Sequence, residues 1–317
     1  MNLQETSVEI WEQKYQLKDA NENPVDKSID DTYDRVAVAL AASEKNPEEW
    51  VDKFKWALEN GATPAGRILS NAGAKEHKPA TSLINCTVSE IVEDSMNGIL
   101  GSVHQAGLTL KAGCGIGYEF STLRPKGGFV AGAGAYTSGP LSFMDVFDKM
   151  CFTVSSAGGR RGAQMATFAI WHPDVEDFIK AKREDGRLRQ FNMSLLVDDE
   201  FMNAVKSDGD YELVFPITHN EFQLFNYEDD QLLWKDLFWE EEYCKKQGYV
   251  VAHGKIRCLI HKKIKARDLW NTTMKSTYDF AEPGFLLIDE INRMNPLSAI
   301  EKIRATNPCK CFTAWLH

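Results

Sequence analysis

The first 60 residues carry apolar side chains at the spacing of helix faces: Val36, Val38, Ala39 and Leu40, then Trp50, Phe54, Trp56, Ala57 and Leu58, closed by Asn60-Gly61. Residues three and four apart share one side of a helix, so this pattern predicts a small helical N-terminal domain over 1–62. From Thr63 onward the pattern changes. Short apolar or β-branched runs at 82–88, 117–120, 165–170, 192–197 and 284–288 read as strands, and 95–111, 142–154, 173–182 and 266–280 between them read as helices. Strand and helix in alternation predict an α/β domain over 63–317, built on a parallel sheet or barrel, because parallel neighbours need a crossover of about helix length. The stretch 205–262 breaks the alternation. It is rich in aromatics and acids and reads as a surface excursion or an inserted hairpin.

Composition narrows the class further. With 317 residues and 43% apolar content, the chain can bury one large core or two modest ones. No apolar run approaches the roughly 20 residues of a membrane span, and the charged start MNLQETSVEIWEQK does not suit a signal peptide, which places the protein in the cytoplasm. Seven scattered cysteines without a CxxC pair do not form a disulfide framework or a zinc ribbon, so no metal site is expected and an important thiol would be a reactive one. The net charge of −10 argues against a nucleic-acid partner, although a local basic cluster can still hold one nucleotide.

Two loops are dense in glycine, Arg124-Pro-Lys-Gly-Gly-Phe-Val-Ala-Gly-Ala-Gly-Ala-Tyr-Thr-Ser-Gly139 and Ser155-Ser-Ala-Gly-Gly-Arg-Arg-Gly-Ala-Gln-Met165. Glycine permits close backbone approach, and Arg160 with Arg161 supplies forked donors suited to phosphate; composition alone favours mobile surface turns with a solvated arginine pair. A third run, Ala112-Gly-Cys-Gly-Ile-Gly117, puts GxG before a short strand rather than after one, which counts against dinucleotide binding. Among the cysteines, Cys114, Cys151, Cys244 and Cys258 read as packing residues. Cys309 follows Arg304-Ala-Thr-Asn-Pro308 in a polar, proline-braced turn, where reactivity explains a thiol better than packing does.

Together, Ser138-Gly-Pro-Leu-Ser-Phe-Met-Asp-Val-Phe147, Gly158-Gly-Arg-Arg-Gly-Ala-Gln-Met165, His172-Pro-Asp-Val-Glu-Asp-Phe-Ile179 and Arg304-Ala-Thr-Asn-Pro-Cys309 resemble the large catalytic chain of ribonucleotide reductases, in the family's order and approximate spacing. The GGRRGAQM form and the Asn-Pro-Cys tip look more like the adenosylcobalamin-dependent class than the class served by a di-iron subunit. The resemblance implies the first, five-stranded parallel half of a ten-stranded α/β barrel, ending in a finger loop. By the same resemblance Cys309 would be the thiyl radical, Asn307 would orient the substrate hydroxyls, and Cys86 would be one of two reducing thiols. Asn85, Gly113 and Pro308 would line the substrate. Asp94, Arg124, Arg160 and Arg161 would face a deoxynucleotide or ATP effector, with 124–139 and 155–164 as the specificity loops. The implied partners are a ribonucleotide, a diphosphate by that resemblance, a thioredoxin- or glutaredoxin-type reductant, and a second copy of the chain.

The chain departs from the family after Cys309. Position 311 is Cys where the family has the glutamate that serves as general base, and the chain then ends with Phe-Thr-Ala-Trp-Leu-His317. The expectation is a truncated finger, a half-barrel with exposed edges, and no activity without a complementing C-terminal half. A split or interrupted gene, or an intein junction, would account for that ending. About 60 N-terminal residues are also too few for the additional ATP cone of many relatives. The rival reading is a non-catalytic, effector-binding remnant of the same family; a glycyl-radical enzyme on the same barrel is a weaker one.

Overall fold

A computed structural model describes residues 4–79, 81–130, 132–154, 162–183, 187–237 and 239–309. They fall into two compact units. The first comprises 1–86, 108–115 and 155–162, and the second 87–107, 116–154 and 163–317.

The first unit is led by α1 (Glu5–Lys14), α2 (Ile29–Ala41), α3 (Pro47–Glu59) and α4 (Gly66–Asn71). Helix α2 starts where the sequence provides a capping box: Ser28 accepts from the Asp31 backbone N–H, and the Asp31 side chain returns the bond to Ser28. Proline in the first turn starts α3, where its missing N–H costs no helical bond. Val36, Ala37, Leu58 and Ala72 form the core of this bundle, with Phe54 and Leu40 packed against it. Val38 and Trp56, read above as part of the apolar face, are instead 56% and 66% exposed. Val38 lies two positions from Val36, about 200° around the helix, whereas Ala37 and Ala41 continue the buried stripe. A buried ion pair of Asp26 with Arg35 (2.7 Å) ties the entry of α2 to α4, since the same guanidinium donates to the Leu69 carbonyl (3.1 Å).

The elements that follow are β1 (Cys86–Val88), α5 (Met96–Lys111), β2 (Gly115–Glu119), β3 (Phe129–Val130), β4 (Ala135–Tyr136), α6 (Pro140–Thr153), β5 (Gln164–Ala169), α7 (Val175–Lys180), β6 (Phe191–Val197), α8 (Asp199–Ser207), β7 (Asp210–Pro216), α9 (His219–Phe225), β8 (Leu232–Lys235), α10 (Glu241–Gln247), β9 (Val251–Ala252), β10 (Lys255–Lys265), α11 (Ala266–Phe280), β11 (Gly284–Leu287) and α12 (Ile288–Arg293). Five strands make one sheet in the order β1-β2-β5-β6-β11. The pairs β2/β5, β5/β6 and β6/β11 are parallel, in agreement with the α/β half-barrel expectation. Central β5 is buried at every position, which is why it reads as a continuous apolar run rather than an alternating one. Behind it Tyr118, Phe120, Phe147 and Phe191 meet at ring distances of 4.9–6.1 Å, and the Tyr118 hydroxyl donates to Gln164 Oε1 (2.9 Å).

Two expectations need correction. The run at 82–88 is a strand only over its last three residues; Leu83 and Ile84, apolar in the sequence, are exposed. The stretch 205–262 is more regular than its composition suggests: β7, β10 and β8 form an antiparallel sheet, with β9 paired to β10. Its signal is the alternation Tyr211, Leu213, Phe215 on β7, all buried, which surrounding acids and aromatics disguise. At the other end of the parallel sheet, Phe285 and Leu287 on β11 are 42% and 41% exposed.

Candidate functional site

The structure places the candidate residues in three sets. In the first unit, Asn85 and Cys86 lead into β1, and Gly113 lies in the turn before β2. Cys86 is buried. The Asn85 carbonyl accepts from the Gly115 N–H (2.9 Å), and its side-chain oxygen accepts from the Arg67 N–H (3.3 Å). Gly113 has φ +81°, and a Cβ there would lie 2.2 Å from the Arg67 guanidinium, which donates to the Gly113 carbonyl at 2.6 Å. Gly113 is therefore required twice, by its backbone angle and by Arg67. Sequence reading missed Arg67; its only sequence signal is a cation on a short helix, which is common on surfaces.

In the second unit, the loop 301–309 lies against the parallel sheet. Ile303, Ala305, Thr306 and Asn307 are buried, Pro308 is half-buried and Cys309 is exposed. The closest approach is at Gly117 of β2, where a Cβ would stand 1.9 Å from the Thr306 carbonyl oxygen and 3.0 Å from the Asn307 Cα. No other residue type fits that position. The glycines Gly115 and Gly117 lie inside β2 rather than before it, which corrects the placement of the GxG run, and at Gly117 the missing side chain serves the close backbone approach. At the tip, Asn307 Oδ1 accepts from the Cys309 N–H (3.1 Å), closing a turn across Pro308. This leaves the Cys309 thiol on an ordered, solvent-facing bend. Cys151 and Cys244 are different: burial pushes each thiol up to about 11, and Cys258 is pushed up further still.

The third set is Asp94 and Arg124. They form an ion pair, Arg124 Nε to Asp94 Oδ2 at 2.7 Å, while the Arg124 backbone N–H donates to Asp94 Oδ1 (3.3 Å). Burial raises the Asp94 carboxyl above its usual range, against the pull of the guanidinium. Arg124 also donates to the Phe129 carbonyl, so it braces the start of the β3/β4 hairpin that the glycine-rich loop forms. Beside this pair is a cavity of about 200 Å³ whose lining includes Tyr136, Ile217, Glu221 and His261. Arg160 and Arg161 lie outside the described residues, as does position 311.

One further acid was not anticipated. Glu119, at the end of β2, is pushed up to about 7 by burial, against the hydrogen bonding of Ser121, whose N–H donates to Glu119 Oε1 at 2.7 Å, and the weaker pull of Arg304. Among the described residues no three His, Cys, Asp or Glu side chains are placed to hold a metal ion, and no helix is long and apolar enough to cross a membrane.

Comparison with known proteins agrees with this arrangement. Residues 1–77 match the model of the ribonucleotide reductase all-alpha domain, and residues 84–313 match that of the ribonucleotide reductase barrel domain. A vitamin B12-dependent ribonucleoside-diphosphate reductase of Mycobacterium tuberculosis is 33% identical over 316 residues, which is 98% of this chain and 39% of the relative. One from Thermoplasma acidophilum is 30% identical over 286 residues, 90% of this chain and 32% of the relative. The ribonucleoside-diphosphate reductase subunit alpha of Helicobacter pylori is 28% identical over 301 residues, 93% of this chain and 35% of the relative. The chain thus spans about a third of the length of these relatives, 32–39%, and the two family models together cover nearly all of the chain. An all-α start, a parallel sheet and a cysteine-tipped loop seated on Gly117 accompany those matches, and the chain belongs to the ribonucleotide reductase large-chain family.

Proposed function

We propose that this chain supplies the radical-bearing part of a cobalamin-dependent ribonucleoside-diphosphate reductase, making deoxyribonucleotides for DNA synthesis. The observation that carries the reading is the turn Asn307-Pro308-Cys309, locked by its own side chain and held against the sheet at Gly117, with the thiol exposed. A radical thiol has to be accessible and fixed at once, because hydrogen transfer needs the reacting atoms held near contact distance.

In this reading the Cys309 thiyl takes the 3′ hydrogen of the ribose: the C–H bond breaks, an S–H bond forms and the radical moves to carbon. Asn307 would orient the substrate hydroxyls, its side chain being fixed in the turn where Oδ1 accepts from the Cys309 N–H. Cys86 and a second thiol supply two electrons and two protons: one proton leaves with the 2′ hydroxyl as water, the other ends as the new hydrogen on the 2′ carbon, the two sulfurs close to a disulfide, and Cys309 returns the 3′ hydrogen and is left as the thiyl again. A thioredoxin- or glutaredoxin-type dithiol then restores the two reducing thiols. Asn85, Gly113 and Pro308 would line the substrate. Adenosylcobalamin, when bound, supplies the initiating radical by homolysis of its carbon–cobalt bond. The exposed Cys309 sulfur suits a radical delivered from outside the loop, and no residue of this chain is assigned to hold the corrin.

Asp94 and Arg124, with Arg160 and Arg161, would face the effector nucleotide, and the cavity beside the Asp94–Arg124 pair is the space that supports this assignment. The protein would act in the cytoplasm as a homodimer. The test is reduction of CDP to dCDP with adenosylcobalamin, a dithiol and an effector, by this chain alone and with a C-terminal half from the same genome. Turnover in the mixture, abolished by Cys309→Ser, is the expected result. Effector binding without turnover in either case would instead indicate a non-catalytic remnant.

A further inference from the structure

The segment His172-Pro173-Asp174 has no part in the radical chemistry, yet the loop that carries Arg124 is built onto it. His172 is fully buried, its ring 4.6 Å from that of Phe168 and 5.5 Å from that of Phe215. Its two nitrogens meet opposite partners: Nε2 lies 2.9 Å from the Leu123 carbonyl oxygen, and Nδ1 lies 3.0 Å from the Asp174 backbone nitrogen. A carbonyl only accepts and a backbone N–H only donates, so both bonds form in one state alone, the neutral ring with its proton on Nε2. Burial favours that state, pushing the imidazole down to about 3.

Asp174 stands just before α7, where an aspartate side chain ordinarily accepts from the first turn of its own helix. Here it makes no such bond. Its Oδ2 accepts instead from the Lys126 N–H at 2.8 Å, 48 residues away in the chain. The far end of the same loop closes on that point, since a Cβ at Gly139 would lie 2.9 Å from both Asp174 Oδ2 and the Lys126 nitrogen. Between these ends the Gly127 N–H donates to the Thr137 carbonyl (2.9 Å) and the Thr137 N–H to the Gly128 carbonyl (3.0 Å), so the loop 124–139 leaves and returns through one neck.

Arg124 lies between the two anchors. The peptide group joining Leu123 to Arg124 is held on both sides, its carbonyl by His172 and its N–H by Asp94, and the peptide group before Lys126 is held by Asp174. Arg124 commits Nε to Asp94 and Nη1 to the Phe129 carbonyl, while Nη2 has no hydrogen-bond partner among the described residues and the side chain lines the cavity of about 200 Å³.

We propose that His172 and Asp174 clamp the neck of the 124–139 loop and thereby fix the Arg124 guanidinium beside Asp94, ready for the effector nucleotide. They are positioning residues, acting through the backbone on either side of Arg124. A forked donor already fixed by its neighbours loses little freedom when it meets a phosphate. The clamp is a property of this chain's own backbone; its use for a nucleotide rests on the effector reading above.

The test compares Asp174→Ala with Asp174→Asn in the 317-residue chain, by hydrogen exchange and by equilibrium dialysis of dTTP. Alanine removes the acceptor, whereas asparagine keeps an acceptor oxygen and removes only the charge. Asp174→Ala is expected to speed exchange of the Lys126, Gly127 and Thr137 amides about 10-fold, with β5 and β6 unchanged, and to weaken dTTP binding by a similar factor. Asp174→Asn is expected to stay near the parent chain in both. Unchanged neck exchange in Asp174→Ala, or an asparagine variant as loose as the alanine one, overturns the clamp. A looser neck with undiminished dTTP binding overturns its role in placing Arg124. If the parent chain binds no dTTP, the effector reading fails while the exchange data still decide the clamp. Replacing His172 would hollow the core, so its ring is read directly: long-range ¹H–¹⁵N spectra at pH 5, where an exposed histidine is mostly charged, should show a neutral ring protonated on Nε2. A charged ring, or a proton on Nδ1, overturns its part in the clamp.

Discussion

Gly117 and the Thr306 carbonyl define the seat of the cysteine-bearing loop: a methyl group at 117 would sit 1.9 Å from that oxygen, well inside contact distance. Neither residue carries chemistry of its own. Together they decide where Asn307 and Cys309 stand, because the two backbones meet without a side chain between them.

Gly117→Ala is therefore expected to displace the loop rather than the sheet. Overpacking of a tight interior costs about 1–3 kcal/mol. Urea unfolding should show that loss, and limited proteolysis should cut within 301–309 faster than in the parent chain. An unchanged midpoint with unchanged cleavage would mean that the loop does not rest on β2.

Among the six described cysteines only Cys309 is exposed. Brief treatment of the folded chain with iodoacetamide at pH 8, followed by peptide mapping, should modify Cys309 while Cys151, Cys244 and Cys258 stay largely intact, since their raised thiols hold almost no thiolate at that pH. Comparable labelling of Cys258 would contradict its burial.

Arg124→Ala strands the Asp94 carboxylate and removes the brace on the Phe129 carbonyl. The loss of a partner for a buried group costs about 1–3 kcal/mol. The same variant should weaken binding of a deoxynucleoside triphosphate in equilibrium dialysis; undiminished binding would remove Arg124 from the effector assignment.

Glu119 gives the stability a pH dependence of definite sign. Its folded-state pKa, about 7, lies above the ordinary glutamate value of 4.5, so the folded chain binds this proton more tightly than the unfolded one. The resulting stabilisation is complete below pH 4.5 and is lost progressively as pH rises from there to about 7. Glu119→Gln should flatten that part of the stability curve. A wild-type curve with the same slope as the variant's would show that Glu119 does not titrate in this window.

Much of the fold was legible because it is written in local periodicity. The helices at 96–111 and 266–280 and the strands at 164–169 and 191–197 follow from apolar spacing and from lengths that suit each element. The antiparallel sheet around β10 was less so: alternation on β7 spans seven residues among charged neighbours, and β10 is largely polar beyond Cys258. The candidate thiol and amide were found from motif resemblance and turn chemistry, whereas Glu119, Arg304 and Arg67 gave no signal. A charged residue reads as solvated until something buries it.

The sequence by itself determined most of the helices and parallel strands and their order, and it pointed to the Asn307-Pro308-Cys309 turn on which the proposed function rests. Only tertiary structure decided that Asp94 meets Arg124, that Gly117 receives Thr306, and that Glu119 is buried within reach of Arg304's charge. Periodicity reports each residue's relation to its own helix or strand. Burial, pairing and the resulting shifts in proton affinity arise between elements distant in the chain, and they exist only once those elements have packed.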